Sequence, residues 1–457
     1  MEVKPGSGTC PGRAGIGWRS RWTDHSGTGG EVPEYAGGVV RLTVSDGPAQ
    51  GTVHEFGGRA TCLLGRSRDC DPRLPAEDDR VSRHHCLLDI NPPDVRVRDF
   101  GSLNGTFVNG AEIGRRAPGQ TPEQAARTAF PERDLHDGDE LRIGRTTVRV
   151  TIVPAVPRMR PAPARSVDPV AGVPGYEVLS ELGRGGQGVV HLAREHATGD
   201  LVALKILHPV VAATARAREQ FLREITAIRD LRHPNIVRFR ETGECGAAFY
   251  LVCDYCRHGS LDHLLERRGG TLPPDEAVAV TRQILDGLDH AHEHGGSGGG
   301  LVHRDVKPAN ILLAGLPGPG RAPVVRISDF GLAKAFDNAG LSGLTRTGDV
   351  AGTLAYMPRS QLVDYKYAKP EVDVWAAAAT LYRMLTGTTP RNFPAGVDPI
   401  VVLLNKSAVS LRRRNRAVPR RLAQVIDEAL VDRPQIAVTT AGEFRQRLDR
   451  AWPEEAS

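Results

Sequence analysis

Apolar and polar positions alternate with a period of two through the first third of the chain. Val40, Leu42 and Val44 are set against polar neighbours, as are Val95 and Val97, and again Val148, Val150 and Ile152. That period puts successive side chains on opposite faces of a half-buried strand. Asn104-Gly105 and Asn109-Gly110 offer the positive backbone angles of tight reversals. The pattern predicts an all-β sandwich over residues 38–153. From residue 175 the strand-like pattern resumes, and after about Cys256 a period of 3.6 takes over, with Ala277, Val280, Ile284, Leu288 and Ala291 on one helical face. Glycines at 295, 296, 298, 299 and 300 predict the end of that helix. Val374 to Leu385 reads as a buried helix, since it holds an arginine and falls short of the ~18 apolar residues needed to span a bilayer. The expected fold class is therefore multidomain, a β-sandwich followed by a two-lobed α+β domain over residues 175–452.

Two segments carry neither period. Residues 1–37 are rich in Gly, Ser, Thr and Arg and too poor in aliphatics to offset ordering entropy, so a disordered leader is expected. Residues 154–174 have prolines at short intervals and read as an extended linker. Within 457 residues, 40% hydrophobic and 25% charged content is that of a globular chain with two or three domains. The net charge of +5 is scattered and too weak to imply a nucleic-acid partner. Arginines 412, 413, 414, 416, 420 and 421 are expected on a solvated surface. Seven cysteines without metal-ligand spacing, and no apolar segment at the start, imply a cytoplasmic protein without a membrane segment.

The segment ELGRGGQGVVHLA places Gly183, Gly185 and Gly188 where a β-hairpin could approach phosphate oxygens without Cβ obstruction. A dinucleotide-binding turn has the same spacing but needs a following helix. Here LVALKIL, a strand pattern, follows and carries Lys205 between apolar neighbours. A lysine there needs a partner, and Glu224 in the helical segment REQFLREITAIRDL is the candidate; a surface role for Glu224 is the alternative. In LVHRDVKPANILL, Asp305 suits a substrate hydroxyl proton, Lys307 a transferring phosphoryl group and Asn310 a metal ion. Asp329 of ISDFG adds the carboxylate that Mg²⁺ prefers.

Taken in order, GRGGQG, VALK, the helix glutamate, HPNIV, HRDVKPAN, DFG and DVW resemble the eukaryotic-type protein kinase superfamily over about residues 176–450. The resemblance implies ATP and Mg²⁺, with Mn²⁺ as an alternative, and protein substrates. It implies an ATP site at Gly183, Gly185, Gly188, Val190, Ala203 and Lys205, with Cys253 as gatekeeper and the Asp254 to Cys256 backbone as the adenine hinge. Lys307 and Thr353 imply Ser/Thr specificity, and Arg304 implies control by phosphorylation, with Thr345 and Thr347 as autophosphorylation candidates. A pseudokinase scaffold is the alternative, and it would be expected to lack Lys205, Asp305, Asn310 or Asp329. Two departures stand out. Ser360 in MPRSQ occupies the place of the family's glutamate, and Ile436 or Ala437 that of its arginine partner, so both ends of a buried ion pair are expected to be absent together. Ala377 or Ala378 stands where a glycine is common.

Residues 38–153 resemble a forkhead-associated (FHA) domain through LGRSRDCD, RVSRHH, FGSLNGTFVNG and DGDELRIG in order. That resemblance implies recognition of phosphothreonine-containing proteins, this chain among them, by Arg66, Ser82, Arg83 and Asn104. Gly65, His85 and Gly105 would shape the loops, and Leu103 stands where a polar residue is common.

Overall fold

The computed structural model describes residues 38–68, 70–125, 127–128, 130–153, 173–185, 188–207, 225, 228–245, 248–294, 300–318, 321–330, 350–363 and 368–453. The expected leader, most of the linker, Glu224, Thr345 and Thr347 lie outside them. All the described residues fall within one compact unit, Tyr35–Ser457.

The N-terminal part is a sandwich of two antiparallel sheets. Strands β1 (Val39–Asp46), β2 (Val53–Phe56), β6 (Thr106–Val108), β7 (Ala111–Gly114), β9 (Glu140–Ile143) and β10 (Thr146–Val153) form the six-stranded sheet, in the order β2-β1-β10-β9-β6-β7. Strands β3 (Ala60–Leu64), β4 (Cys86–Asn91), β5 (Asp94–Asp99) and β8 (Glu132–Leu135) form the four-stranded sheet in the order β3-β4-β5-β8. The period-two residues Val40, Leu42, Val95, Val97, Val148 and Val150 all point into the space between the sheets. Alternation breaks in β3 and β4, where Leu63 and Leu87 are as buried as their inward-facing neighbours.

The C-terminal part opens with a five-stranded antiparallel sheet in the order β11-β12-β13-β15-β14, made from Tyr176–Gly185, Gly188–Glu195, Leu201–Leu207, Ala248–Asp254 and Phe239–Cys245 respectively. Val173, expected at the linker's end, is buried against this sheet. The helical lobe is built on α1 (Leu261–Arg267), α2 (Pro274–His294), α3 (Val350–Leu354), α4 (Arg359–Val363), α5 (Glu371–Thr386) and α6 (Pro399–Asn405). All five apolar positions named for α2 are fully buried, and so is the run Val374–Leu385 on α5 apart from Arg383 and two residues that keep slight exposure. Gly387 ends α5 at φ 72°, the left-handed value that glycine adopts without Cβ strain. Strands β16 (Ile311–Gly315) and β17 (Val324–Ile327) pair beneath α2 and hold the loop that precedes them against the lobe.

Candidate active site and phosphopeptide site

The loop before β16 brings the polar residues of LVHRDVKPANILL together. Lys307 Nζ lies 3.0 Å from Asp305 Oδ1 and donates to Thr353 Oγ1 at 3.1 Å. Asn310 Nδ2 donates to Asp305 Oδ2 at 2.9 Å and to the Asp305 carbonyl at 2.7 Å, which leaves the Asn310 amide oxygen as the atom turned to other partners. The Asp305 amide donates to His303 Nδ1, so His303 carries its proton on Nε2 and donates it to the Ser328 carbonyl at 2.7 Å. Ser328 in turn donates from its amide and its hydroxyl to the Asn310 carbonyl, at 2.9 and 3.0 Å. Asp329 is thereby fixed beside Asn310. Two non-glycine residues here, Arg304 at φ 69° and Asp329 at φ 60°, adopt the left-handed region, strain that persists only where surrounding bonds over-determine the backbone.

Register supplies the other half. Val190 on β12 stands opposite Lys205 on β13, which stands opposite Leu251 on β15. Lys205 Nζ lies 3.0 Å from Asp329 Oδ1, with its side chain 12% exposed. The cation is met by Asp329; the Glu224 pairing falls outside the described residues. The three glycines differ in what they permit. A Cβ at Gly188 would lie 2.2 Å from the Ile206 carbonyl oxygen, so packing within the sheet demands glycine there. At Gly183 and Gly185 a Cβ would meet nothing within 4 Å, leaving open space over the cleft. At the far end of β15, burial pushes the Cys253 thiol up to about 12, so it packs as a neutral group, and Cys256 is buried nearby. The Asp254 carboxylate is held by Arg240 Nε at 2.8 Å, and its amide donates to the Arg238 carbonyl at 3.0 Å.

In the sandwich, Arg66, Arg83 and Asn104 are exposed on adjoining loops and Ser82 is half-buried. The Arg66 and Ser67 amides donate to the Ser82 and Arg83 carbonyls. A Cβ at Gly65 would lie 2.2 Å from the Arg83 carbonyl oxygen, so only glycine lets these loops approach. His85 is fully buried: Nδ1 accepts from the Ser82 amide at 3.1 Å and Nε2 donates to the Gly105 carbonyl at 3.1 Å. Asn104 Nδ2 donates to the Arg80 carbonyl at 2.8 Å, which leaves its second N–H and its amide oxygen to offer. The Leu103 amide donates to Ser82 Oγ, while its side chain is 52% exposed. Asp99, which sequence reasoning passed over, is buried and accepts from the Gly101 and Ser102 amides and the Thr106 hydroxyl, pinning the loop that ends in Asn104.

Burial lowers the imidazole pKa of His85, partly opposed by the nearby Asp99 charge. The folded module therefore refuses a proton that the unfolded chain accepts as the pH falls below the ordinary value of 6.5. Its stability is present above that value and is lost on acidification. Urea unfolding of the sandwich at pH 7.5 and pH 5.5 is expected to give a lower midpoint at the lower pH. Equal midpoints would remove this role for His85.

Residues 176–439, more than half of the chain, match the protein kinase domain family. The chain belongs to the protein kinase family. Residues 62–144 match the FHA domain, so an FHA domain precedes the kinase domain. Serine/threonine-protein kinase PknJ of Mycobacterium tuberculosis is 33% identical over 272 residues, 59% of this chain and 44% of that protein. PknF of the same organism is 32% identical over 277 residues, 60% of this chain and 56% of that protein. The chain thus spans about half the length of these curated relatives. Among solved structures, Rad53 1-466 in complex with AMP-PNP aligns with 22% identity, a TM-score of 0.48 and coverage of 90% of this chain and 100% of that one. The M. tuberculosis PknI kinase domain aligns with 24% identity, a TM-score of 0.47 and coverage of 63% and 100%.

Within the kinase domain Ser360 and Ile436 form no ion pair with each other, and a different buried pair of reversed polarity stands beside them. Arg359 on α4 places Nη1 2.9 Å from Asp432 Oδ1, and its amide donates to Asp432 Oδ2 at 3.0 Å. Arg391 ion-pairs the same carboxylate, stacks its guanidinium 4.6 Å over the Trp375 ring and donates to the Met357 carbonyl. All three side chains are at most 3% exposed. Ile436 is simply buried core. Asp373 of the DVW motif, to which the sequence attached no role, is fully buried under the loop that carries Asp305. It accepts from the His303 and Arg304 amides at 2.7 Å each and from His292 Nε2 at 2.8 Å. Burial opposes the Asp373 charge, but the His292 and His303 contacts outweigh it and hold the carboxyl below the usual range. Among the described residues no helix is long and apolar enough to cross a membrane.

Proposed function

We propose that this chain is a protein serine/threonine kinase that transfers the ATP γ-phosphoryl group to Ser and Thr hydroxyls, itself included, and that its FHA module binds phosphothreonine. The observation that carries the reading is the convergence of Asp305, Lys307 and Thr353 in one hydrogen-bonded row, next to Asn310, Asp329 and Lys205. Asp305 orients the acceptor hydroxyl and takes its proton as the new O–P bond forms and the bond to the leaving ADP breaks. Lys307, already aimed between Asp305 and Thr353, lies against the transferring group and neutralises its charge. Lys205 holds the α and β phosphates. Gly183 and Gly185 leave room for them, Val190 and Ala203 line the adenine, and the Asp254 to Cys256 backbone meets its edge. The oxygen donors suit Mg²⁺: the Asp329 carboxylate and the Asn310 amide oxygen are hard ligands, and the Ser328 bonds hold them side by side. A Mg²⁺ ion held by Asp329 and Asn310 would supply Lewis-acid charge neutralisation to the phosphates. Arg66, Ser82 and Arg83 grip the phosphothreonine phosphate, and the Asn104 oxygen accepts from the peptide backbone. Thr345 and Thr347 are the proposed autophosphorylation sites. A pseudokinase scaffold is disfavoured because Lys205, Asp305, Asn310 and Asp329 are all present, Lys205 paired with Asp329 and Asn310 with Asp305.

Asp329→Asn tests the metal assignment. Loss of one charged ligand should lower transfer to a protein substrate by about 10²–10³-fold while leaving metal-free nucleotide binding in place. Full transfer by Asp329→Asn would remove the assignment.

A further inference from the structure

One row of the outer face of the four-stranded sheet is not solvent-facing. Leu63 and Leu87 stand opposite each other on β3 and β4, and Arg98 stands opposite Leu87 on β5, so the three share one cross-strand row. Their neighbours Cys62, Leu64, Cys86, Leu88 and Val97 fill the sandwich core, which sends this row outward. Leu63 and Leu87, with Cys70 and Phe100, are buried in a cluster with Leu354, Met357, Leu362, Ile400, Leu403 and Leu404 of the kinase lobe. Helix α4 packs directly on β3. Arg98 Nη1 lies 2.8 Å from Asp398 Oδ2, with the side chains 20% and 15% exposed, and Asp398 also caps α6 through the Ile400 amide.

Both partners in this contact lead straight to a site. On the kinase side Leu354 follows Thr353, which bonds Lys307, and Gln361 on α4 donates to the Arg304 carbonyl at 2.7 Å. On the FHA side β3 runs into Gly65 and Arg66, and Cys70 Sγ lies 3.2 Å from the Arg83 carbonyl. Yet Arg66, Arg83 and Asn104 stay exposed with the face covered. The contact thus ties the strand that leads into Arg66 to the segment that follows Thr353 and leaves the three exposed residues uncovered.

We propose that the docked FHA module is a second, fixed substrate subsite of the kinase, and that the preferred substrate is a protein already carrying a phosphothreonine at a set distance from the acceptor Ser or Thr. The proposal rests on the reading that these loops bind phosphothreonine. A substrate held at Arg66 presents its acceptor at an effective concentration in the millimolar range, provided the intervening chain spans the gap. About ten extended residues cover roughly 33 Å, so spacers on either side of that length sample shorter and longer reaches.

The test uses the full chain with ATP and Mg²⁺ and a set of peptides. Each has one acceptor serine and one phosphothreonine, or its unphosphorylated counterpart, separated by spacers of about 4 to about 20 residues. Priming is expected to raise kcat/KM by about tenfold or more at a best spacer, through KM. Arg66→Ala should bring the primed-to-unprimed ratio to about one. Leu87→Asp and the milder Arg98→Glu should keep phosphopeptide affinity, read by fluorescence anisotropy, but flatten the spacer dependence. Phosphopeptide binding with no gain at any spacer overturns the proposal. So does a gain equal at all spacers and untouched by Arg98→Glu, or an Arg98→Glu protein more active on unprimed peptide, which would make the contact inhibitory. Absence of phosphopeptide binding would instead remove the FHA reading on which the proposal rests, and transfer to the unprimed peptide reports separately on the kinase.

Discussion

Asp305→Asn protein is expected to transfer phosphate to Ser and Thr about 10²–10⁴-fold more slowly than wild type, the span that a positioned general base contributes. The amide is nearly isosteric, so Asn310 and Lys307 keep a partner in place and nucleotide binding should be retained. What is lost is the acceptor for the hydroxyl proton and the charge that holds Lys307 Nζ at 3.0 Å. Single-turnover measurement with saturating ATP isolates this step from product release. A rate within a few-fold of wild type would mean that Asp305 neither orients nor deprotonates the acceptor.

The second large effect belongs to Asp432. Its carboxylate is the shared counter-charge for Arg359 and Arg391, and both guanidinium groups are buried with it. Removing it strands two cations that burial disfavours, and breaking a buried pair typically costs about 3–5 kcal/mol. Burial already lowers the pKa of Arg391 against the opposing pull of Asp432, which marks how poorly the site tolerates charge without it. Asp432→Ala is therefore expected to lower the denaturant midpoint of the kinase domain strongly. Arg359→Met should cost less, because Arg391 keeps its partner. Activity should fall in parallel, since α4 also carries Gln361, which holds the Arg304 carbonyl beside Asp305. If Asp432→Ala unfolded at the wild-type midpoint, the reversed clamp would have no structural weight.

Elements whose signal is local were legible in the sequence. The period-two strands of the sandwich, the buried faces of α2 and α5, and the Asp305 to Asn310 run each announce themselves within a few residues. Gly65 and His85 were assigned to loop shaping, and the close approach at Arg83 and the bonds to Ser82 and Gly105 are the physical form of that role. What was not legible depends on residues far apart in sequence. Arg359 and Asp432 are separated by 73 positions, and an arginine beside a serine gives no sign of the acid it will meet. The family pattern points to Ser360 and Ile436, whereas the buried pair that stands there joins Arg359, one residue earlier, to Asp432, four residues earlier. Asp99 and Asp373 escaped for a related reason: a carboxylate that caps backbone amides looks like any surface acid until the loop closes over it. Leu63 and Leu87 carried a readable clue, because both positions of each local pair are apolar where alternation calls for a polar residue. That irregularity marks a covered sheet face, and its cover is the kinase lobe.

The most direct measurement is to incubate the full chain and a protein substrate with ATP labelled with ¹⁸O in its γ-phosphoryl group and with Mg²⁺, and to follow the label by mass spectrometry. The account predicts heavy phosphate on Ser and Thr hydroxyls of the substrate and on Thr345 or Thr347, and about 10²-fold less or lower still in a parallel reaction with Asp305→Asn over the same time. Label recovered only as inorganic phosphate, or on Ser and Thr equally with wild type and Asp305→Asn, would contradict it.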